Sequence, residues 1–306
     1  MTPPDRAPAG DLLLLAVAVA AVSTSAPLIA GADAPTLAIA FWRNALSLPI
    51  LAVWVLARRS ERAGWRARST ADRRRSMLAG ALLGAHFAVW IPSLSYTTVA
   101  SSVALVATQP VWAALIARHR GEQIRRSTWI GIGLALAGTV VLTGVDLSIS
   151  SRAVFGDLLA MVGGMLAAAY VTVGAEVRRN VSTVAYALAC YATAAALLLG
   201  LCVATGQVLT GYDRDTWLAI GGLVLGAQLL GHTLVNLVLR SLSPTAVSVA
   251  ILFEILGATV IARIAFGETP PAGAWPAGFL IAVGVVAVVR SDQDARDLVD
   301  PGGVLT

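Results

Sequence analysis

The residues of this sequence that could do chemistry are the ionisable and amide side chains lying inside long apolar runs. A charge at the centre of a bilayer costs about 2.5–3.5 kcal/mol on insertion scales, so each one present needs a partner or a wet cavity. Glu254 is the only acid well inside such a run, and Ala250, Gly257 and Ala258 beside it are small, which suits a face turned toward packed protein. Arg43, in an earlier run, is expected roughly 6 Å from the level of Glu254 along the bilayer normal. Two arrangements follow. The two groups form a permanent ion pair, or Arg43 holds the carboxylate of a ligand while Glu254 takes an amine or a proton.

Three further polar residues, Gln228, His232 and Asn236, fall at successive steps of four and so share one stripe of a helix. His86, Trp90 and Ser93 do the same elsewhere in the chain. Each histidine is either a hydrogen-bond donor between helices or, with its counterpart, one of a pair flanking a binding cavity; His232 is also a candidate proton carrier beside Glu254. Gln109 stands between Thr108 and Pro110, where the proline removes a backbone donor and frees a carbonyl at mid-depth. Tyr170 and the Ser23, Thr24, Ser25, Pro27 cluster are candidates for lining the same cavity, with helix packing the alternative. The glycine pairs Gly80/Gly84 and Gly222/Gly226 suit close helix approach, and Cys190 and Cys202 suit small buried apolar roles rather than a disulfide.

Several chemistries are not supported. The sequence contains no His-Glu-x-x-His metal pair, no Gly-x-Ser-x-Gly elbow and no paired acids inside the apolar runs. It has no lysine, hence no phosphate-binding loop of the ATPase kind. An enzyme is not expected, and neither is a cofactor or a metal.

The elements that must position these residues are membrane helices. Of 306 residues 57% are hydrophobic and 13% charged, and the mean hydropathy is +0.78, outside the range of water-soluble domains. Apolar runs recur along the whole length, each sufficient to cross a core of about 30 Å. They predict ten transmembrane helices near residues 12–30, 36–57, 77–94, 99–117, 128–144, 157–175, 183–204, 216–239, 245–266 and 273–289. Runs such as Leu12 to Ala21 are apolar on every side, which excludes alternating barrel strands. Leu12 to Ala21 also resembles the core of a signal peptide, but its later counterpart in the chain argues for a retained helix.

All 22 basic residues are arginine, and the net charge is +5. Eight of them fall between Arg58 and Arg75, and others flank alternate links, as the positive-inside rule requires. The charge therefore reports topology, with both termini cytoplasmic, rather than a nucleic-acid partner. The Arg58 to Ser76 link is expected to lie as a strip on anionic lipid.

Sliding the chain against itself by 146 positions superposes Asp11 on Asp157, Gly80 on Gly226, His86 on His232, Ser102-Val103-Ala104 on Ser248-Val249-Ala250, Gly138 on Gly284, and Gly121-Glu122 on Gly267-Glu268. The chain reads as a duplication: a tail at 1–10, a first five-helix repeat at 11–144, a second at 157–290 and a tail at 291–306 expected to be disordered. An odd number of spans per copy inverts the second copy relative to the first. Inverted repeats related by an axis in the membrane plane interconvert inward-open and outward-open forms around a central cavity. Glu122 and Glu268 are expected to shape the turns that follow their glycines.

The duplicated plan, the Gly-Glu pairs, the Gln109-Pro110 break and the stretch His232-Thr233-Leu234-Val235-Asn236 leading to Glu254 resemble the EamA-type members of the drug/metabolite transporter superfamily over residues 11–290. That resemblance implies an all-α bundle of ten helices around a central cavity and export of amino acids or other small metabolites without ATP. Where such sequences read Glu-Pro, this one has Glu254-Ile255, so the helix break expected there should be missing or displaced. The expected function is a secondary transporter of a small-molecule substrate in the cell's inner membrane, with protons as the candidate coupling ion. A lipid-intermediate flippase or a drug efflux carrier of the same fold is the alternative. Membrane lipid is an expected partner, and a homodimer is compatible with the sequence.

Overall fold

The computed structural model of the chain describes residues 9–97, 99–143, 150–266 and 273–299. Among these residues every regular element is helical. In chain order they are α1 (Ala9–Val22), α2 (Ser25–Ala30), α3 (Thr36–Ala45), α4 (Ser47–Ala57), α5 (Arg59–Ala67), α6 (Thr70–Ser93), α7 (Val99–Val106), α8 (Gln109–His119), α9 (Arg126–Thr143), α10 (Ser151–Arg178), α11 (Thr183–Ala204) and α12 (Arg214–Gly222). A π-helix (Leu223–His232) follows, then α13 (Thr233–Val238), α14 (Pro244–Ile251), α15 (Phe253–Phe266) and α16 (Ala274–Val299). Seven described segments are long and apolar enough to cross a membrane: Gly10–Ile29, Thr36–Ala57, Thr70–Ser93, Ser151–Arg178, Thr183–Ala204, Arg214–Val238 and Trp275–Asp292. Arg126–Val141 and Pro244–Ala258 are shorter apolar helices.

Several apolar runs are broken part-way, and side chains or a proline account for the first three of these breaks. At the α1–α2 joint the hydroxyls of Ser23 and Thr24 bond back to the carbonyls of Val19 and Ala21. At the α3–α4 joint Asn44 bonds to Ala40 O and Ser47 to Asn44 O. The α7–α8 joint precedes Pro110, which has no N–H to offer Val106. The α14–α15 joint falls at Leu252, whose register equivalent in the first half is Val106, the last residue of α7. The break expected near Glu254 is thus displaced by two residues rather than lost, and it forms without a proline.

Four other sequence expectations need correction or completion. The first turns of α6 and α10 start well before 77 and 157, because Ser69 and Ser150 cap them by accepting from Asp72 N and Ala153 N. The arginine strip contains a helix of its own, α5, whose Glu61 accepts a hydrogen bond from Ser182. The helix expected to end near 289 runs to Val299, since no glycine or proline interrupts Ser291 to Val299 and Asp292 accepts from Ser243 N at 3.2 Å. The segment after 290 is therefore helical as far as it is described. Glu122 sits in the turn closing α8, where Gly121 has φ of 88° and Glu122 N–H bonds to Ala117 O; Gly267 and Glu268 lie outside the described residues.

Packing follows the repeat. α6 lies against α10 and α11, and its register counterpart, the π-helix, lies against α1 and α3. α9 packs along α16 and α11 covers α3 and α4, pairings that map onto themselves when the halves are exchanged, whereas α8 lies against α14 without an α7–α15 pairing of like extent. Large apolar side chains such as Ile264 and Phe279 point outward, as lipid solvent allows. Close approach depends on glycine at several places, and two of them show it against backbone carbonyls. A Cβ on Gly80 would stand 2.3 Å from Cys190 O on α11, and one on Gly284 would stand 2.5 Å from Gly131 O on α9. Gly80→Ala is expected to destabilise the protein by about 1–3 kcal/mol, the range for overpacking, read as a fall in melting temperature in detergent. Gly133→Ala, with open space around it, should leave that temperature unchanged.

Candidate functional site

Arg43, on α3, is 1% exposed. Its Nε donates to Gln228 Oε1 at 3.0 Å, and Gln228 Nε2 in turn donates to Asn44 Oδ1 at 3.1 Å. The guanidinium carbon lies 4.4 Å from the centroid of the Phe87 ring on α6. An amide and an aromatic face therefore hold the cation from two sides, while Nη2 is buried with no hydrogen-bond partner. Glu254, Tyr191, His86 and His232 all lie within electrostatic reach of this guanidinium.

Glu254, in the first turn of α15, is surrounded by protein but keeps part of its surface accessible. Neither a hydrogen bond nor an ion pair within 4 Å joins its carboxylate to the described residues. The permanent Arg43–Glu254 pair considered from the sequence is accordingly not formed. Instead, a fixed cation with one unsatisfied nitrogen and a carboxylate with no hydrogen-bond partner among the described residues share one interior region.

Aromatic and imidazole rings line the neighbourhood. The His86 ring is stacked on Trp90 at 5.5 Å and 11°, and its Nδ1 lies 2.9 Å from Gly163 O. A carbonyl can only accept, so Nδ1 carries the proton and Nε2 of the neutral ring is an acceptor. Trp90 Nε1 is buried without a partner. His232, half-buried, meets the Phe87 ring edge-on at 5.8 Å and the Tyr170 ring at 6.5 Å.

A second network adjoins the first. Tyr170 donates to Asn236 Oδ1 at 2.8 Å, Asn236 Nδ2 donates to Tyr191 at 3.4 Å, and Tyr191 lies 3.3 Å from Thr233 Oγ1. Arg178, 1% exposed, donates from Nε to Asn236 O at 2.9 Å and caps Val181 O and Thr183 Oγ1 with its other nitrogens. The end of α10 is thereby tied to α13 and to the start of α11.

Of the residues singled out in the sequence, Arg43, His86, Trp90, Gln228, His232 and Glu254 gather around one interior region, with Tyr170 and Asn236 adjoining through His232. Gln109 stands apart: it donates to Ser248 Oγ at 3.0 Å and joins α8 to α14, with no described hydrogen bond to the Arg43 cluster. The expected stripe of Gln228, His232 and Asn236 is also altered. The wider π turn rotates them, so Gln228 meets α3 while Asn236 meets α10 and α11. Sequence reasoning missed Phe87, Asn44 and Tyr191, which look like ordinary apolar or interfacial residues. It also read Arg178 only as a topology marker, and nothing in its sequence context separates it from exposed Arg179.

The described residues thus form a helical bundle of membrane-suited helices that holds an incompletely satisfied polar cluster in its interior. Residues 9–144 and 154–290 each match the model of the EamA-like transporter family, and the chain belongs to that family. An uncharacterized transporter of Archaeoglobus fulgidus is 31% identical over 142 residues, 45% of this chain and 47% of that protein. The uncharacterized inner membrane transporter YedA of Escherichia coli K12 is 26% identical over 186 residues, 60% of each chain. The matched stretches thus span about half to three-fifths of these relatives. A solved crystal structure shares the fold, with a TM-score of 0.78 at 20% identity over 94% of this chain and 98% of that one. The chain is thus a member of that family whose described helices include seven long and apolar enough to cross a membrane.

Gln228→Leu removes the acceptor of Arg43 Nε and leaves a second guanidinium nitrogen buried and unsatisfied. A loss of about 1–3 kcal/mol is expected, measured as a lowered melting temperature of purified protein. An unchanged value would mean that water already satisfies Arg43.

Proposed function

We propose that the protein is a secondary transporter that exports a small metabolite bearing a carboxylate, using ten transmembrane helices arranged as two inverted five-helix repeats. The observation that carries this reading is the unsatisfied Nη2 of buried Arg43, within electrostatic range of Glu254, whose carboxylate has no hydrogen-bond partner among the described residues. A desolvated guanidinium with a vacant donor is matched by a carboxylate oxygen, and such charge-assisted bonds are about twice as strong as neutral ones. Glu254 then takes the substrate's amine or a proton, and His232, half-buried against the Phe87 and Tyr170 rings, relays the proton. The stacked His86 and Trp90 rings offer an apolar wall to the rest of the substrate.

Support for the inverted arrangement comes from the 146-residue register, the odd number of runs per copy and the interchange of packing partners between the halves. Alternating access follows when the two halves exchange conformations about the Arg43 region. The arginine-rich links favour an orientation with both termini in the cytoplasm. Export is the direction we assign, in keeping with that resemblance.

The test is transport in proteoliposomes. Glu254→Gln is expected to keep the wild-type fold and melting temperature but to abolish uptake driven by an imposed pH gradient, while exchange of substrate across the membrane persists. Transport with an unchanged dependence on the pH gradient would remove Glu254 from the coupling step.

A further inference from the structure

The outer face of α4 carries a feature that carrying solute across the membrane does not use. Pro49, Ile50, Val53, Trp54, Ala57 and Arg58 line a groove of about 500 Å³. Its walls are apolar along the helix, and its end is cationic. Ile50, Val53 and Trp54 are all exposed there. From Pro49 to Arg58 the helix rises about 13 Å, close to the roughly 15 Å depth of one leaflet of a 30 Å hydrocarbon core.

The cationic end is built rather than incidental. Arg58 stacks over the Trp54 ring with its guanidinium carbon 4.0 Å from the centroid, and none of the described residues accepts a hydrogen bond from its side chain. α5 begins at the next residue and carries Arg59, Arg62 and Arg66. It is fixed in place: Glu61 accepts from Ser182, the capping residue of α11, Trp65 packs against the hydrophobic core, and Arg62 bonds to the Leu56 carbonyl at the end of α4. Arg68 stacks on Trp65 at 3.4 Å, closing the far side of the platform.

We infer that this groove and its arginines form a binding site for a single anionic phospholipid, with one acyl chain along α4 and the phosphate against Arg58. Apolar walls of one-leaflet length that end at a rigid arginine platform match that ligand in both shape and charge. A second copy of the chain fits the same face poorly. A twofold interface there would set the arginines of α5 against their own counterparts, and like charges placed opposite each other cost several kcal/mol. Occupancy of the site bears on transport through α4, which joins at Leu46 the helix that carries Arg43.

The experiment is native mass spectrometry of the full chain released from detergent containing either phosphatidylglycerol or phosphatidylcholine with the same acyl chains. Wild type should retain one phosphatidylglycerol under conditions that strip phosphatidylcholine. Arg58→Glu should weaken that retention at least about tenfold, since each basic side chain near a lipid surface contributes on the order of a fivefold factor and reversing the charge applies that factor about twice. Val53→Trp, which fills the groove and leaves every arginine in place, should weaken it as well, whereas Arg179→Glu, an exposed charge elsewhere, should not. Equal retention of the two lipids, wild-type retention by both groove variants, or a dimer without lipid whose mass is lost in Val53→Trp would overturn the assignment.

Discussion

Burial of the Arg43 guanidinium is the constraint on which the interior of this protein depends. Removing such a charge from water costs several kcal/mol unless hydrogen bonds and nearby charge offset it. Here the offset comes from three separate elements. Gln228 on the π-helix accepts from Nε, Phe87 on α6 presents its ring, and Glu254 on α15 contributes its field from a distance. Because these residues come from both halves, the charge can be accommodated only when the halves pack together. Because Nη2 remains without a partner, the accommodation is incomplete where a ligand could complete it.

The two halves share a register but not every detail, and the differences cluster around this site. His86 belongs to a regular α-helix, whereas its counterpart His232 ends a π-helix. The α1–α2 joint at Ser23 and Thr24 corresponds to uninterrupted α10, where Tyr170 occupies the position of Thr24. Arg178 fastens α10 to α13, while its counterpart in the first half is Ala32, which can form no such tie. A π-helix at the central site supplies side-chain directions that an α-helix with the same sequence would not, and it lets Gln228 and Asn236 serve two different networks. Departures of this kind from symmetry give the two conformations of a carrier unequal energies, which is a means of setting a resting state.

Much of the architecture was legible in the residues. Long apolar runs, arginine confined mainly to links, and the recurrence of glycines and histidines 146 positions apart marked a duplicated helical membrane protein. Arg43 and Glu254 were visible because an ionisable group in such a run is rare, and both reach the central region. Their relation was not visible, since hydropathy gives depth along the bilayer normal and says nothing of azimuth. The same limitation applies to Gln109, whose described hydrogen-bond partner is Ser248 rather than a member of the Arg43 cluster. Four-residue spacing assumes α geometry, so the π turn that separates Gln228 from Asn236 left no trace in the pattern. Phe87 could not be picked out because an aromatic beneath a cation resembles any other core aromatic until the chain is folded.

Everything in the proposed carrier rests on two copies threaded through the membrane in opposite senses. Gly64 and Thr210 occupy the same register in the two copies, and both are exposed. Cys190 and Cys202 are buried, so single cysteines introduced at these positions can be labelled over a low background. In intact cells a membrane-impermeant maleimide should label Thr210→Cys at once and Gly64→Cys only after the membrane is opened. Labelling of both from the same side would contradict the inverted arrangement and, with it, alternating access around Arg43.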